Sequence, residues 1–390
     1  MGSPGVPAVF LAILTPVTAE PIAHESELRV SPLELFFDLV FVFTVTQLTA
    51  SLTHHLNPGG LVRVLVMLAV IWWMYDAFIW LTNAMPPSTH PRRGLLLTAM
   101  AGFLVISLAV PHAFEGSGVV FGWAYLVVIA VHTGMFAAAG VARSAVLRMG
   151  LANLVNAALV VSGGYLEGTA QLTLWTAAFV LQLVTPYLVD LPQFHLRADH
   201  LVERHGLVVI IAFGESVIAL GMGAAGGPAL DATAVAAALC ALAVCVGLWW
   251  AYFGHDDDER SVHYLAALDD ARRNRLAIRV HDLGHYLLLF AVILLATGAE
   301  AAVAHPTGHL PLARAAVLGA GPALFLVVNA DIRQTFGLRP VLPRLVAAAL
   351  IAATVPLGTG VASIAQLAAI AAVLALVFGW EERGAAGARG

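Results

Sequence analysis

Carboxylates and imidazoles stand inside or beside long apolar stretches of this 390-residue chain. Asp38 sits in a phenylalanine-rich run, and Glu34 lies one helical turn before it. Residues four apart share a helix face, so the pair makes a polar stripe, continued by Thr49. Glu34 reads as a helix cap or a partner for Arg29. Asp38 reads either as an ion-handling group or as one end of a structural bond between helices. Glu215 falls about midway along a later apolar run, between Gly214 and Ser216, with Gly221 and Gly223 beyond. Small neighbours allow another helix or an ion to approach closely. Asp76 follows a Trp-Trp pair in the second apolar run. Leaving an ionised side chain in hydrocarbon costs at least about 2.5–3.5 kcal/mol, so such residues face a protein interior and mark function. Asp38, Glu215, Glu34 and Asp76 are therefore the candidates for an ion or transport site.

His281-Asp282-Leu283-Gly284-His285 opens another apolar run. Two His four apart could bind zinc with a third ligand. No HExxH or paired Cys accompanies them, so a pH-sensitive cluster is the favoured reading, with Asp282 tuning His285. No metal site and no cofactor is expected. His132 reads as a core residue, and His54, His55, His112, His305 and His309 as exposed. Asn153, Asn156, Gln182, Asn329 and Asp331 read as interhelical hydrogen-bonding groups, and Asp190 as interfacial. Cys240 and Cys245 read as buried, unbridged thiols. Soluble-enzyme signals are missing: there is no phosphate loop, no G-x-G-x-x-G after a strand and no G-x-S-x-G, so the chain is not read as an enzyme.

The elements carrying these residues follow from hydropathy. The chain is 60% hydrophobic and 11% charged, against about 25% charged residues in a soluble domain. Apolar stretches of the roughly 20 residues needed to cross a bilayer recur along its length. They predict an all-α polytopic membrane protein with helices near 32–54, 61–82, 94–112, 118–140, 144–165, 168–190, 201–224, 231–253, 280–302, 312–331, 341–359 and 361–380. Pro and Gly mark most breaks, with Gly358 to Gly360 dividing the last two. Val6 to Val17 is too short to span and lacks a basic leader, so it reads as an N-terminal extension. The polar stretch His255 to Arg279 predicts a solvated amphipathic helix. A net charge of −5 gives no basic face for nucleic acid.

All 19 basic residues are Arg. Numbering helices from residue 32, seventeen of them fall at the N-terminus, in the loops after even-numbered helices, or at the C-terminus, leaving Arg63 and Arg314 on the other side. Cytoplasmic loops retain positive charge, so both termini are expected in the cytoplasm.

Two landmarks recur at an offset of 177 residues. Phe36-Phe37-Asp38-Leu39-Val40-Phe41 matches Phe213-Gly214-Glu215-Ser216-Val217-Ile218, and Trp72-Trp73-Met74-Tyr75 matches Trp249-Trp250-Ala251-Tyr252. They predict two parallel six-helix repeats, 31–200 and 201–381, between the 1–30 extension and an 382–390 tail. Asp76 breaks the symmetry, because its mate is Phe253.

The run Ser31-Pro32-Leu33-Glu34-Leu35-Phe36-Phe37-Asp38-Leu39-Val40-Phe41-Val42-Phe43, with Phe213-Gly214-Glu215-Ser216, resembles the bacterial low temperature requirement A family. The resemblance covers nearly all of the chain from Arg29 and implies a multi-pass inner-membrane protein. More distantly, Phe36-x-Asp38 and Phe213-x-Glu215-x-x-x-Ala219 resemble the F-S-D-x-x-x-A signature of two-repeat potassium channels with six-helix units. Here Phe37 or Gly214 stands in place of the Ser, and one acid is Glu, so potassium selectivity is not carried over.

These features favour a channel or carrier for a small cation or proton, embedded in the lipid bilayer. A non-transporting scaffold or cold-stress envelope protein is the rival reading, and an intramembrane lipid enzyme the third. Oligomerisation stays open.

Overall fold

The computed structural model of the protein describes residues 30–138, 143–188, 196–227 and 231–387. The Val6–Val17 segment, Arg29 and Asp190 lie outside the described residues. Those described form helices and turns, with no strand among them. In order they are α1 (Pro32–His54), α2 (Pro58–Ala84), α3 (His90–Ala109, followed by a 3₁₀ turn Val110–His112), α4 (Gly118–Ala137), α5 (Arg143–Gly164) and α6 (Gly168–Leu188). Then come α7 (Ala198–Gly226), α8 (Ala232–Phe253), α9 (Asp257–Ala266), α10 (Asp270–Ala277), a π-helical turn (Ile278–Gly284), α11 (His285–Ala304), α12 (Leu312–Thr335), α13 (Leu342–Ala352), α14 (Val355–Gly360) and α15 (Ser363–Gly387).

Among the described residues, eleven helical stretches are long and apolar enough to cross a membrane. The helix α6 completes the expected twelve by position. Its two glutamines and four threonines dilute its hydropathy and keep it outside that set. The chain is an all-helical polytopic membrane protein.

Local chemistry explains most boundaries. Pro91 sits in the first turn of α3, where no N–H is needed. Asp231 caps α8 by accepting from Ala234 N at 2.8 Å. Three expectations are corrected. The His255–Arg279 stretch forms two short helices, because Asp269 starts a new one by capping Arg272 N. One face of α9, Asp257, Ser261 and Leu265, is buried instead of solvated. The helix expected from residue 280 is continuous back to Asp270 through the π turn. The turn after Gly358–Gly360 divides the last two spans as expected, α14 ending at Gly360 and α15 starting at Ser363, and a further break at Ala353 and Thr354, with Pro356 at the head of α14, splits the first of these spans in two.

Contacts divide the chain into two units. One contains the residues up to Thr44 with Ala69–Leu201; the other contains Val45–Leu68 with Val202–Gly390. Both α1 and α2 therefore give one part to each unit.

In the first unit, aromatic packing fills the core. Tyr75 stacks on Phe41 with ring centres 3.9 Å apart, and Phe37 meets Tyr75, Phe78 and Phe103 at 5.2–5.5 Å. The helices α4, α5 and α6 are joined by the expected polar groups. Tyr125 donates to Asn156 Oδ1 at 2.8 Å, Gln182 donates to Tyr125 Oη at 2.6 Å, and Asn156 donates to Ala178 O at 2.8 Å. Asn153 donates to Thr133 at 2.9 Å. A Cβ on Gly122 would stand 2.8 Å from Val161 Cα, so a side chain there would force α4 and α5 apart.

In the second unit, α11 is buried along most of its length. It crosses α12 closely: a Cβ on Gly298 would meet Leu318 Cα at 2.6 Å, and one on Gly321 would meet Leu295 N at 2.6 Å. Such contacts matter in a bilayer, where lipid tails are as apolar as leucine and helices associate by packing and hydrogen bonds. Arg344, fully buried, ties α13 to α15 through Glu381 at 3.1 Å, to the end of α8 through Ala251 O at 2.8 Å, and to Asn329 of α12. Buried Arg333 pairs with Asp257. These arginines, counted above for sidedness, are thus partnered inside the protein. Cys240 is half-buried, Cys245 is buried, and neither is bridged.

Candidate functional site: buried carboxylates and a histidine cluster

In the first unit, Glu34 is a capping residue. Its Oε2 accepts from Ser31 N at 3.0 Å and from Ser31 Oγ at 2.8 Å, while its own N–H donates to Ser31 Oγ at 3.3 Å. This is a reciprocal capping arrangement. The other carboxylate oxygen meets His200 Nε2 at 3.2 Å. His200 Nδ1 lies 3.4 Å from Asn83, which also accepts from Arg197 N at 2.9 Å and donates to Arg197 O at 2.8 Å. The acid therefore anchors the first turn of α1 to α2 and the start of α7.

One turn along, Asp38 is fully buried. The Tyr75 hydroxyl donates to its Oδ1. Tyr75 itself is clasped by Phe41 and Phe37, so the acid sits in an aromatic surround. Asp76 on α2 is also buried. His132 is buried against Phe78 and Phe136.

In the second unit, Glu215 on α7 is 2% exposed. Its Oε2 accepts from Thr46 Oγ1 at 2.5 Å. No basic side chain lies within ion-pair distance of it among the described residues. Thr46, Thr49 and Thr53 follow one another at helical spacing along the part of α1 belonging to this unit. Thr53 donates to Glu300 of α11 at 3.3 Å. The glycines near Glu215 divide in role. A Cβ on Gly223 would lie 2.4 Å from Glu300 O, so it admits the α11 backbone, whereas Gly214 and Gly221 border open space.

The second cluster of this unit is buried. His281, Asp282 and His285 are 3%, 5% and 2% exposed. The rings of His281 and His285 are nearly parallel at 5.3 Å, and His205 of α7 meets both edge-on at 4.9 and 4.8 Å. Tyr252 of α8 lies 2.7 Å from His285 Nε2, whose Nδ1 is 3.0 Å from Val280 O. The π turn aims these rings: π-helical insertions concentrate at functional sites. No group of three or more metal ligands suited to a metal ion occurs among the described residues.

The predicted residues thus fall into separate neighbourhoods. Glu34 and Asp38 share a stripe in the first unit; Glu215 and the histidines occupy different places in the second. Sequence reasoning missed Thr46, Glu300, Tyr75 as a partner and His205. The helical spacing of Thr46 and Thr53 about Thr49 carried the first signal. The five exposed histidines are exposed as expected.

A sequence model described as bacterial low temperature requirement A protein matches residues 29–378. An uncharacterised protein of Rhizobium meliloti (strain 1021) is 31% identical over 313 residues, covering 75% of this chain and 74% of the relative. No solved structure matches the chain.

Proposed function

Taking as premise that the chain belongs to the bacterial low temperature requirement A protein family, we propose that it is a channel or carrier for a small cation or proton in the inner cell membrane, with both termini cytoplasmic. Glu215 is the ion-binding group. The observation that carries this reading is a buried carboxylate in an apolar helix whose partner is the Thr46 hydroxyl, with no basic residue in ion-pair reach among the described residues. A carboxylate held by a hydroxyl can exchange a proton or a small cation at modest cost. Thr49 and Thr53 extend the line of hydroxyls along α1. Asp38, enclosed by aromatic rings and held by Tyr75, is assigned a supporting role in its own unit. The distant likeness to two-repeat cation channels and the offset of 177 residues between the two acids agree with this class.

The test is cation and proton uptake by the purified protein in liposomes under an imposed gradient. Wild-type protein is expected to carry flux, and Glu215→Gln to fall to the level of empty liposomes while staying folded. Equal flux in both overturns the reading. Absence of flux for every small cation favours a non-transporting scaffold.

A further inference from the structure

A small, partly open pocket of about 30 Å³ lies beside the histidine cluster of the second unit. Tyr252, Asp257, Asp258, His281, His285 and Arg333 are among its lining residues. Three buried polar atoms of that lining, His281 Nδ1, Asp257 Oδ1 and Arg333 Nε, have no hydrogen-bond partner among the described residues. An unsatisfied buried polar group costs about 1–3 kcal/mol, and three around one pocket call for a ligand. About 10–15 Å³ of such space is enough to hold one water, which typically makes about three hydrogen bonds to such groups. The pocket thus has room for bound water, and its unpartnered polar atoms supply that water's hydrogen-bonding groups.

We propose that this pocket is a water-bridged proton-uptake site, in which bound water joins Asp257 and Arg333 to His281 and passes protons onto the histidine cluster. The water donates to Asp257 Oδ1 and accepts from Arg333 Nε. With its own hydrogen on Nε2, His281 presents a lone pair at Nδ1. A proton reaching the water binds that lone pair, and the water keeps its electron pair. The titratable and charged groups around His281 and His285 are His205 from α7, Tyr252 from α8, Asp257 and Asp258 from α9, and Arg333 from α12, with Asp282 beside them in the π turn. Asp258, half-buried at the pocket, is the donor best placed to feed it. Tyr252 and Val280 O hold His285 in one orientation, so the uptake site is His281. This site is separate from Glu215 and stands whether or not Glu215 carries an ion.

The experiment is solid-state NMR of the full-length protein in lipid bilayers with ¹⁵N-labelled histidine. The resonances of His281 are assigned by their loss in His281→Asn. Polarisation transferred from water is expected to reach Nδ1 of His281 despite its burial. On lowering the pH from about 8 to about 4, a range that runs past the ordinary imidazole midpoint, its two dissimilar ring-nitrogen signals should converge to the like pair of an imidazolium. Asp258→Asn should move that midpoint. A dry Nδ1, or signals that stay constant across the range, overturns the proposal. The wild-type measurement needs no variant beyond the assignment.

Discussion

At the residue scale, Asp38 and Glu215 occupy matching places in the sequence but differ in their chemistry. The Tyr75 hydroxyl donates to Asp38, and the rings around Tyr75 hold that hydroxyl in place. Tyr75→Phe should destabilise the protein by about 1–3 kcal/mol, the usual cost of leaving a buried polar group short of a bond. Thermal unfolding in detergent checks this, and an unchanged midpoint would count against a supporting role for Asp38. The acids themselves were legible because a carboxylate in an apolar run is rare. Their partners were not. Tyr75 and Tyr252 are sequence mates, yet Tyr75 bonds Asp38 while Tyr252 faces His285. Spacing reports which residues share a face and says nothing of what the next helix brings against it.

At the element scale, the helices were legible where Pro, Gly and a capping acid punctuate them, as at Asp231 before α8. They were not legible where polarity and helicity part company. Residues 270–279 are rich in Arg and read as part of a solvated amphipathic helix separate from the membrane helix, but their side chains find partners, Arg273 with Leu265 O at 3.0 Å and Arg279 with Asp331 at 3.0 Å. The helix therefore runs on. The Arg344–Glu381 pair is a buried ion pair between α13 and α15. Removing one member leaves a buried charge, so Arg344→Leu should cost about 3–5 kcal/mol, whereas Arg344→Leu combined with Glu381→Leu should cost less. A double-mutant cycle on thermal stability measures this. The α11–α12 crossing offers another test. Gly298→Val places methyl groups where Leu318 stands and should destabilise by about 1–3 kcal/mol or more, whereas Gly221→Ala, facing open space, should be near neutral.

At the scale of the whole molecule, the polytopic all-helical fold was plain from hydropathy, and the family match over residues 29–378 agrees with the resemblance carried by the Ser31–Phe43 run. The duplicated six-helix plan remains a proposal, supported by six principal helical segments on either side of Leu201 and by the 177-residue offset. Sidedness also rests on arginine placement, less strongly than a plain count suggests, because Arg204, Arg333 and Arg344 are buried. Reporter fusions at both ends should nonetheless report the same, cytoplasmic side; opposite sides would remove the even helix count. The claim on which the functional reading depends is that Glu215 acts through its charge. The most direct measurement is ion uptake into liposomes by Glu215→Gln and Glu215→Asp protein of matched thermal stability. The expected result is no uptake with Gln and partial uptake with Asp, since Asp keeps a carboxylate near Thr46. Equal uptake by the two variants would contradict it.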